Sequence, residues 1–293
     1  RILCDAHPGY TTTRWATNQS LPVSRIYHHH AHAASAYCET DIEHKDEPVL
    51  VFTWDGVGYG ADESLWGGEA LLGTPGQWQR VATMRPFHLP GGDKAGREPW
   101  RSAAALCWEA GNEYPAMPDD HALLYGAWQR RVNAPRSTAV GRLFDAAAAL
   151  TGVCTHASFE GQGPMQFEAL CRKPGKYVEL TLDKIDKLLI TNWEALVPVL
   201  LDSTLTVSER AEVFHASLAH TILQQARAIR SEHGVNTVSF SGGVFQNRVL
   251  TEQARALLSD DGFTVHLPEL IPVNDAGISF GQVIEFLYSK EKH

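Results

Sequence analysis

Apolar positions follow two different periods along this chain. Val49 to Trp54 form a short, partly β-branched apolar run that stops at Asp55 and is followed by Gly56, Gly58 and Gly60. Val235 to Phe240 repeat the design, with Gly242 and Gly243 turning the chain into a helix. Both patterns predict buried strands ending in glycine loops that expose backbone, the place where open α/β sheets hold ligands. Helical periodicity is clearest over 208–233, where Phe214, Leu218, Ile222, Ala226 and Ile229 recur on one face. Ser208 is placed to cap that helix and Gly234 to stop it. Between the two strands the pattern predicts mostly helix, with loops near 88–93 and 158–164. A last strand over 263–267 leads through a proline-containing loop to a closing helix begun by Asn274 or Asp275. The expected architecture is α/β in two lobes, residues 1–205 and 206–293.

Composition narrows the function classes. Of 293 residues, 44% are hydrophobic and 20% charged, enough apolar material for a packed core and too much for disorder. The net charge of −9 is spread without blocks, which argues against binding nucleic acid by general phosphate attraction. No run approaches the ~20 apolar residues that span a bilayer. Cys4, Cys38, Cys107, Cys154 and Cys171 form no CxxC pair, and reduced thiols in a cytoplasm are expected. The opening "RILCDAHPGY" already reads as a strand and a turn, as in a portion of something longer. Motifs of the forms GxxxxGK(S/T), GxGxxG after a strand, HExxH and GxSxG are missing, which disfavours P-loop enzymes, Rossmann dehydrogenases, zincins and common serine hydrolases.

The candidate chemistry sits in "IYHHHAHAASAY". If a helix starts at 28, His28 and His32 lie one turn apart on one face while His29 and His30 point elsewhere, orienting neighbours or facing solvent. Such a pair suits zinc or iron, completed by carboxylates. Asp55 at a strand end and Asp275 at a helix start are short carboxylates displayed at element termini. Each also has a plainer reading: a surface histidine cluster, a turn residue, an N-cap. Gly242 and Gly243 leave backbone N–H groups at a helix N-terminus with Asn247 following, which suits a nucleotide phosphate, although such turns also occur without a ligand. Gly58, Gly92 in "LPGGD" and Asp145 in "GRLFDA" are further candidate nucleotide contacts, Asp145 for ribose hydroxyls.

The segments "CDAHPGY", "HHHAHAASAY", "DGVGYG", "LWGGE", "LPGGD", "NAPRSTAVGRLFDAAAAL", "FEGQGP", "SGGVFQNRVL" and "NDAGISFGQ", in this order, resemble the C-terminal domain of the HypF hydrogenase-maturation carbamoyltransferases. More distantly the chain is similar to the TsaD tRNA-threonylcarbamoyl enzymes and to antibiotic O-carbamoyltransferases. The resemblance implies an actin-like ATPase fold around a nucleotide cleft, its first lobe truncated at the N-terminus. It implies a metal on His28, His32, Asp55 and Asp275, the four residues that spacing also singles out. It implies transfer of a carbamoyl group from carbamoyl-adenylate, made from ATP, to the C-terminal cysteine of a HypE partner. Acylphosphatase-like, zinc-finger and YrdC-like domains are expected ahead of this chain. A non-catalytic nucleotide-binding module and a small-molecule O-carbamoyltransferase are the alternatives.

Overall fold

A computed structural model describes residues 1–40, 47–118, 121–173 and 175–290. The N-terminal part contains β1 (Ile2–Asp5), α1 (Thr11–Thr17), β2 (Val23–Ile26) and α2 (His28–Tyr37). Next come β3 (Val49–Tyr59), β4 (Leu65–Gly73), β5 (Gln79–Met84), β6 (Phe87–His88), α3 (Trp100–Ala110) and α4 (His121–Gln129). They are followed by β7 (Arg136–Ser137), α5 (Val140–Leu150), α6 (Gln162–Glu168), β8 (Thr181–Ile185), β9 (Leu188–Asn192) and α7 (Leu196–Leu201). The chain closes with α8 (Val207–His233), β10 (Thr237–Ser241), α9 (Arg248–Asp260), β11 (Thr264–His266) and α10 (Ile278–Lys290).

The α/β expectation holds, with more strand than the sequence pattern predicted. β4, β5, β8 and β9 lie in the stretch expected to be mostly helical, and join one large sheet in the order β11-β10-β3-β4-β5-β9-β8. Their signal was weak because they are short or interrupted, as in the glycine-bearing "LWGGEALLG", where partners rather than local alternation decide the structure. β1 and β2 form a separate parallel pair. The sheet crosses the boundary expected near 205, since β10 pairs in parallel with β3 and with β11. Residues 206–293 therefore do not form a sheet of their own.

Buried aromatic and aliphatic side chains cover both faces of the sheet. Phe52 and Trp54 of β3 pack edge to face, and Phe52 meets Phe240 of β10. α8 supplies Phe214, Leu218, Ile222, Ala226 and Ile229 to the same core, the face predicted from its period. Its cap is Thr206, not Ser208: Thr206 accepts from the Glu209 amide while Glu209 reaches back to the Thr206 amide. Ser208 instead donates to Leu170 O. Gly234 ends the helix in a left-handed conformation, as expected.

Candidate metal centre and ligand cleft

Three elements converge at one edge of the sheet. α2 begins at His28, so His28 and His32 share a face, and both are buried. β3 and β10 are parallel neighbours, which brings Asp55 beside the Gly242–Gly243 turn. Asp55 does not end its strand as expected. β3 continues to Tyr59, and a register shift between Trp54 and Gly58 turns the carboxylate out of the ladder. Asp275 opens a short 3-10 turn before α10, with Asn274 as its cap.

Asp55 Oδ2 lies 3.0 Å from His28 Nε2 and 3.3 Å from His32 Nε2. Asp275 Oδ1 lies 3.6 and 3.4 Å from the same two nitrogens. One ligand atom from each residue falls within 4.8 Å of the others. The outer atoms are held as well. His28 Nδ1 is 3.3 Å from Asp5 Oδ2 and His32 Nδ1 is 3.1 Å from Ser241 Oγ. Asp55 Oδ1 accepts from the amides of Gly56 at 2.8 Å and Gly243 at 3.2 Å.

Carboxylates flank both ring nitrogens of His28 and favour its doubly protonated form; with a cation in the centre, His28 would keep the Nδ1 proton toward Asp5 and turn an Nε2 lone pair inward. Ser241 Oγ spends its hydrogen on Val273 O at 3.4 Å, leaving lone pairs for the Nδ1 proton of His32. Two imidazole lone pairs and two carboxylate oxygens would then meet at one point. Such a donor set fits a divalent cation, and partners on the outer nitrogens are the usual means of fixing metal-binding histidines. The electrostatics agree. Burial pushes the His28 pKa down, but hydrogen bonds to Asp275, Asp5 and Asp55 outweigh it and hold it well above the usual value. Burial likewise opposes ionisation of Asp55, yet His28 and His32 keep it well below the carboxylate range. Hydrogen bonds to His28 and His32 bring Asp275 down to about 2. The centre favours positive charge.

His29 departs from expectation. It neither faces solvent nor makes a hydrogen bond; it is fully buried and both ring nitrogens lack partners. Burial, with His28 adding, pushes its pKa well down, so it is a neutral packing group. His30 is 3.7 Å from Glu285.

Asp55 and Asp275 also line a cleft of about 650 Å³ that includes Asp145, Gly243, Asn247, Arg142 and Glu160. Asp145 is buried 2.7 Å from Arg142, and Oδ2 lacks a well-aligned hydrogen bond. Burial lifts its carboxyl to about 6 against the pull of Arg142, and Glu160 adds to the rise. Asn247 caps α9 through the Leu250 amide and donates from Nδ2 to His215 Nε2 at 2.9 Å. Burial holds the His215 pKa down at about 4, which keeps that nitrogen an acceptor.

The glycines behave differently from the sequence reading. Gly242 N donates to Val273 O and Gly243 N to Asp55, so neither amide is open to a phosphate in this structure. Gly242 is glycine for backbone reasons: φ is 102°, and a Cβ would sit 2.1 Å from Trp54 O. Gly58 lines no part of the cleft; a Cβ there would be 2.4 Å from the His29 ring, so glycine lets the hairpin approach α2. Gly92 lines a neighbouring pocket of about 280 Å³ that shares Gly56, Arg142 and Glu160 with the cleft. Asp5, Ser241 and Arg142 were missed by sequence reasoning. Asp5 and Ser241 lie in quoted motifs, but only the fold places them behind the histidines.

Comparison with known proteins gives a consistent picture. A family profile described as "Carbamoyltransferase, Kae1-like Domain, second subdomain" matches residues 51–282, and one described as "HypF Kae1-like domain" matches residues 1–39. The chain is 33% identical over 321 residues to the carbamoyltransferase HypF of Synechocystis sp., covering 99% of this chain and 40% of that protein. It is 35% identical over 290 residues to the carbamoyltransferase HypF of Rhizobium leguminosarum bv. viciae, covering 95% and 37%. The crystal structure of a full-length HypF in the phosphate- and nucleotide-bound form matches with a TM-score of 0.90 at 31% identity, over 98% of this chain and 46% of that one. T. kodakarensis HypF shares the fold, with a TM-score of 0.83 at 23% identity, over 98% of this chain and 40% of that one. The actin-like ATPase architecture implied by the resemblance is the one these matches support. The chain spans about two fifths of the length of these sequence relatives. With its profile matches and its relatives in agreement, the chain belongs to the HypF carbamoyltransferase family, of which it represents the Kae1-like part.

Proposed function

We propose that this chain is a carbamoyl-transfer domain that moves a carbamoyl group from carbamoyl-adenylate to a thiolate, the C-terminal cysteine of a HypE-type partner in hydrogenase maturation. The observation that carries the reading is the convergence of His28, His32, Asp55 and Asp275, two of which also line the cleft. The four residues would hold zinc or iron, both of which suit histidine with carboxylate. A divalent cation there supplies a Lewis acid for the carbamoyl oxygen.

The chain's own residues then have separable tasks. Asp145, Asn247 and Arg142 all line the cleft; in this reading Asp145 takes the ribose hydroxyls, and Asn247 and Arg142 the phosphate. Gly243 contributes to the cleft wall, its amide committed to Asp55. The Gly242 amide stays with the Asp275 loop. The attacking sulfur forms a bond to the carbamoyl carbon, the carbon–oxygen bond to phosphate breaks, and its electron pair leaves with AMP. Phe144 and Met165 add apolar surface to the cleft wall, which would help keep water from the activated group once ligand fills the cleft. Synthesis of carbamoyl-adenylate from ATP and carbamoyl phosphate is assigned to a YrdC-like domain, with zinc-finger and acylphosphatase-like domains beside it, in the remaining length of the full proteins. A cytoplasmic location suits this chemistry, and among the described residues no helix is long and apolar enough to cross a membrane.

The test supplies the intact chain with carbamoyl-adenylate formed in situ by a separate adenylating enzyme, and offers a cysteine-terminated peptide or a sugar. A peptide thiocarbamate detected by mass spectrometry, lost in His32→Ala, is the expected result. Carbamoylation of the sugar alone would instead favour an O-carbamoyltransferase. Nucleotide binding that ignores chelators, with neither acceptor modified, would reduce the chain to a binding module.

A further inference from the structure

Asp275 is the loosely held member of the group. Its side chain is 71% exposed, and among the described residues none between Phe263 and Gly277 is buried. β11 and the partly buried Val265 and Leu267 anchor the start of this segment on the core, but from 268 to 276 polar contacts must hold it. Beside Asp275, Val273 O accepts from Gly242 N at 2.7 Å and from Ser241 Oγ at 3.4 Å, Asn274 O accepts from Gly277 N at 2.9 Å, and Asn274 Oδ1 accepts from Ala276 N at 3.1 Å. A further set comes from the end of α2. Glu39, just past the end of that helix, turns its carboxylate onto the loop. Its Oε2 accepts from the amides of Glu269 at 2.8 Å and Leu270 at 2.7 Å, and Oε1 from Ile271 at 2.8 Å. Bonds of this charge-assisted kind are roughly twice as strong as neutral ones.

We propose that Glu39 is a positioning residue for Asp275: by clamping the three amides at 269–271 it lets α2, which carries His28 and His32, also set the place of the fourth ligand. The inference rests on the metal reading above. Ile271 lies four positions before Asp275, and Glu39 lies in the turn directly after the helix that carries His28 and His32, so one helix and its C-terminal turn carry both supports. Glutamine at 39 would keep the volume but present an N–H₂ group where one carboxylate oxygen now accepts. At least one of the three bonds is then lost, and the charge that strengthens the others is gone.

Zinc affinity of the full chain, measured by chelator competition, is compared for wild type, Glu39→Gln, Asp275→Ala and the double variant. Hydrogen exchange at amides 269–271 and thermal melting are followed in parallel. Glu39→Gln is expected to weaken zinc binding by about 10-fold or more. Exchange at the three amides should rise while β10 stays protected, and the double variant should bind no more weakly than Asp275→Ala alone. A general loss of stability would not produce that lack of additivity. Zinc binding by Glu39→Gln within about twofold of wild type, or full additivity with Asp275→Ala, overturns the clamp and leaves the metal centre standing. If Asp275→Ala itself leaves wild-type zinc binding unchanged, the metal reading falls and the clamp with it.

Discussion

His28, His29 and His32 share a few turns of sequence yet have different physical fates. The Nε2 atoms of His28 and His32 face the carboxylates, whereas His29 is sealed beside Gly58 and Trp66. His28→Ala or His32→Ala should therefore abolish bound metal by elemental analysis while circular dichroism keeps the native signal. His29→Ala should retain the metal and lower thermal stability, because it empties packed space at a cost of about 2 kcal/mol or more. His29→Leu, which fills the space and removes two unpartnered nitrogens, should lose less. Metal loss in His29→Ala equal to that in His32→Ala would show the wrong helix face had been chosen. Asp145 makes a separate prediction. Its folded pKa, about 6, stands above the reference 3.8, so the folded state binds the proton more tightly. Stability from this group is present below about pH 3.8 and is lost as pH rises through about 6. Asp145→Asn should reduce the fall in unfolding free energy between about pH 4 and pH 7 by roughly 2 kcal/mol, read from denaturant titrations at both pH values. An unchanged pH slope would count against the buried carboxyl.

At the scale of elements, α2 matters most because it is packed on two sides while carrying two candidate ligands. Its alanines are not an accident of composition. Ala31, Ala33, Ala34 and Ala36 are all buried, and α10 approaches so closely that a Cβ on Gly281 would lie 1.9 Å from Ala31 O. Gly281→Ala must push the two helices apart and should destabilise by about 3 kcal/mol in urea unfolding, with weaker metal retention. Gly126→Ala in α4 is the control: nothing lies within 4 Å of the added methyl, so helix propensity should make it stabilising by about 0.5 to 1 kcal/mol. Similar effects from both substitutions would show that close helix packing is not the cause. The helix itself was legible, since its alanine-rich run follows the histidines directly. Its tight partner was not, because "ISFGQVIEF" shows only that a glycine occurs in a helix, and not what faces it.

The whole molecule is organised by a sheet that joins distant parts of the chain. β10 is hydrogen-bonded between β3 and β11, so a fragment starting at 206 would expose the inner edge of β10 and leave Phe240 without Phe52. Residues 206–293 expressed alone should give an undispersed amide spectrum, and the intact chain a single unfolding transition. A folded fragment would instead support an autonomous second lobe. Much of the candidate centre was legible beforehand because its signals are local. Helical spacing pairs His28 with His32, an apolar run before glycines points to Asp55 although the strand itself runs on to Tyr59, and an N-terminal turn displays Asp275. The sequence by itself determined the α2 helix, the strand through Asp55 and the candidate donor types, since these depend on neighbours within a few residues. Only the tertiary structure decided that the four candidate ligands meet at one point, that Asp5 and Ser241 lie behind the two histidines and Glu39 binds the loop before Asp275, and that the Gly242 and Gly243 amides are already engaged. Those outcomes depend on which strands pair and how closely helices pack, and such long-range contacts leave no periodic mark along the chain.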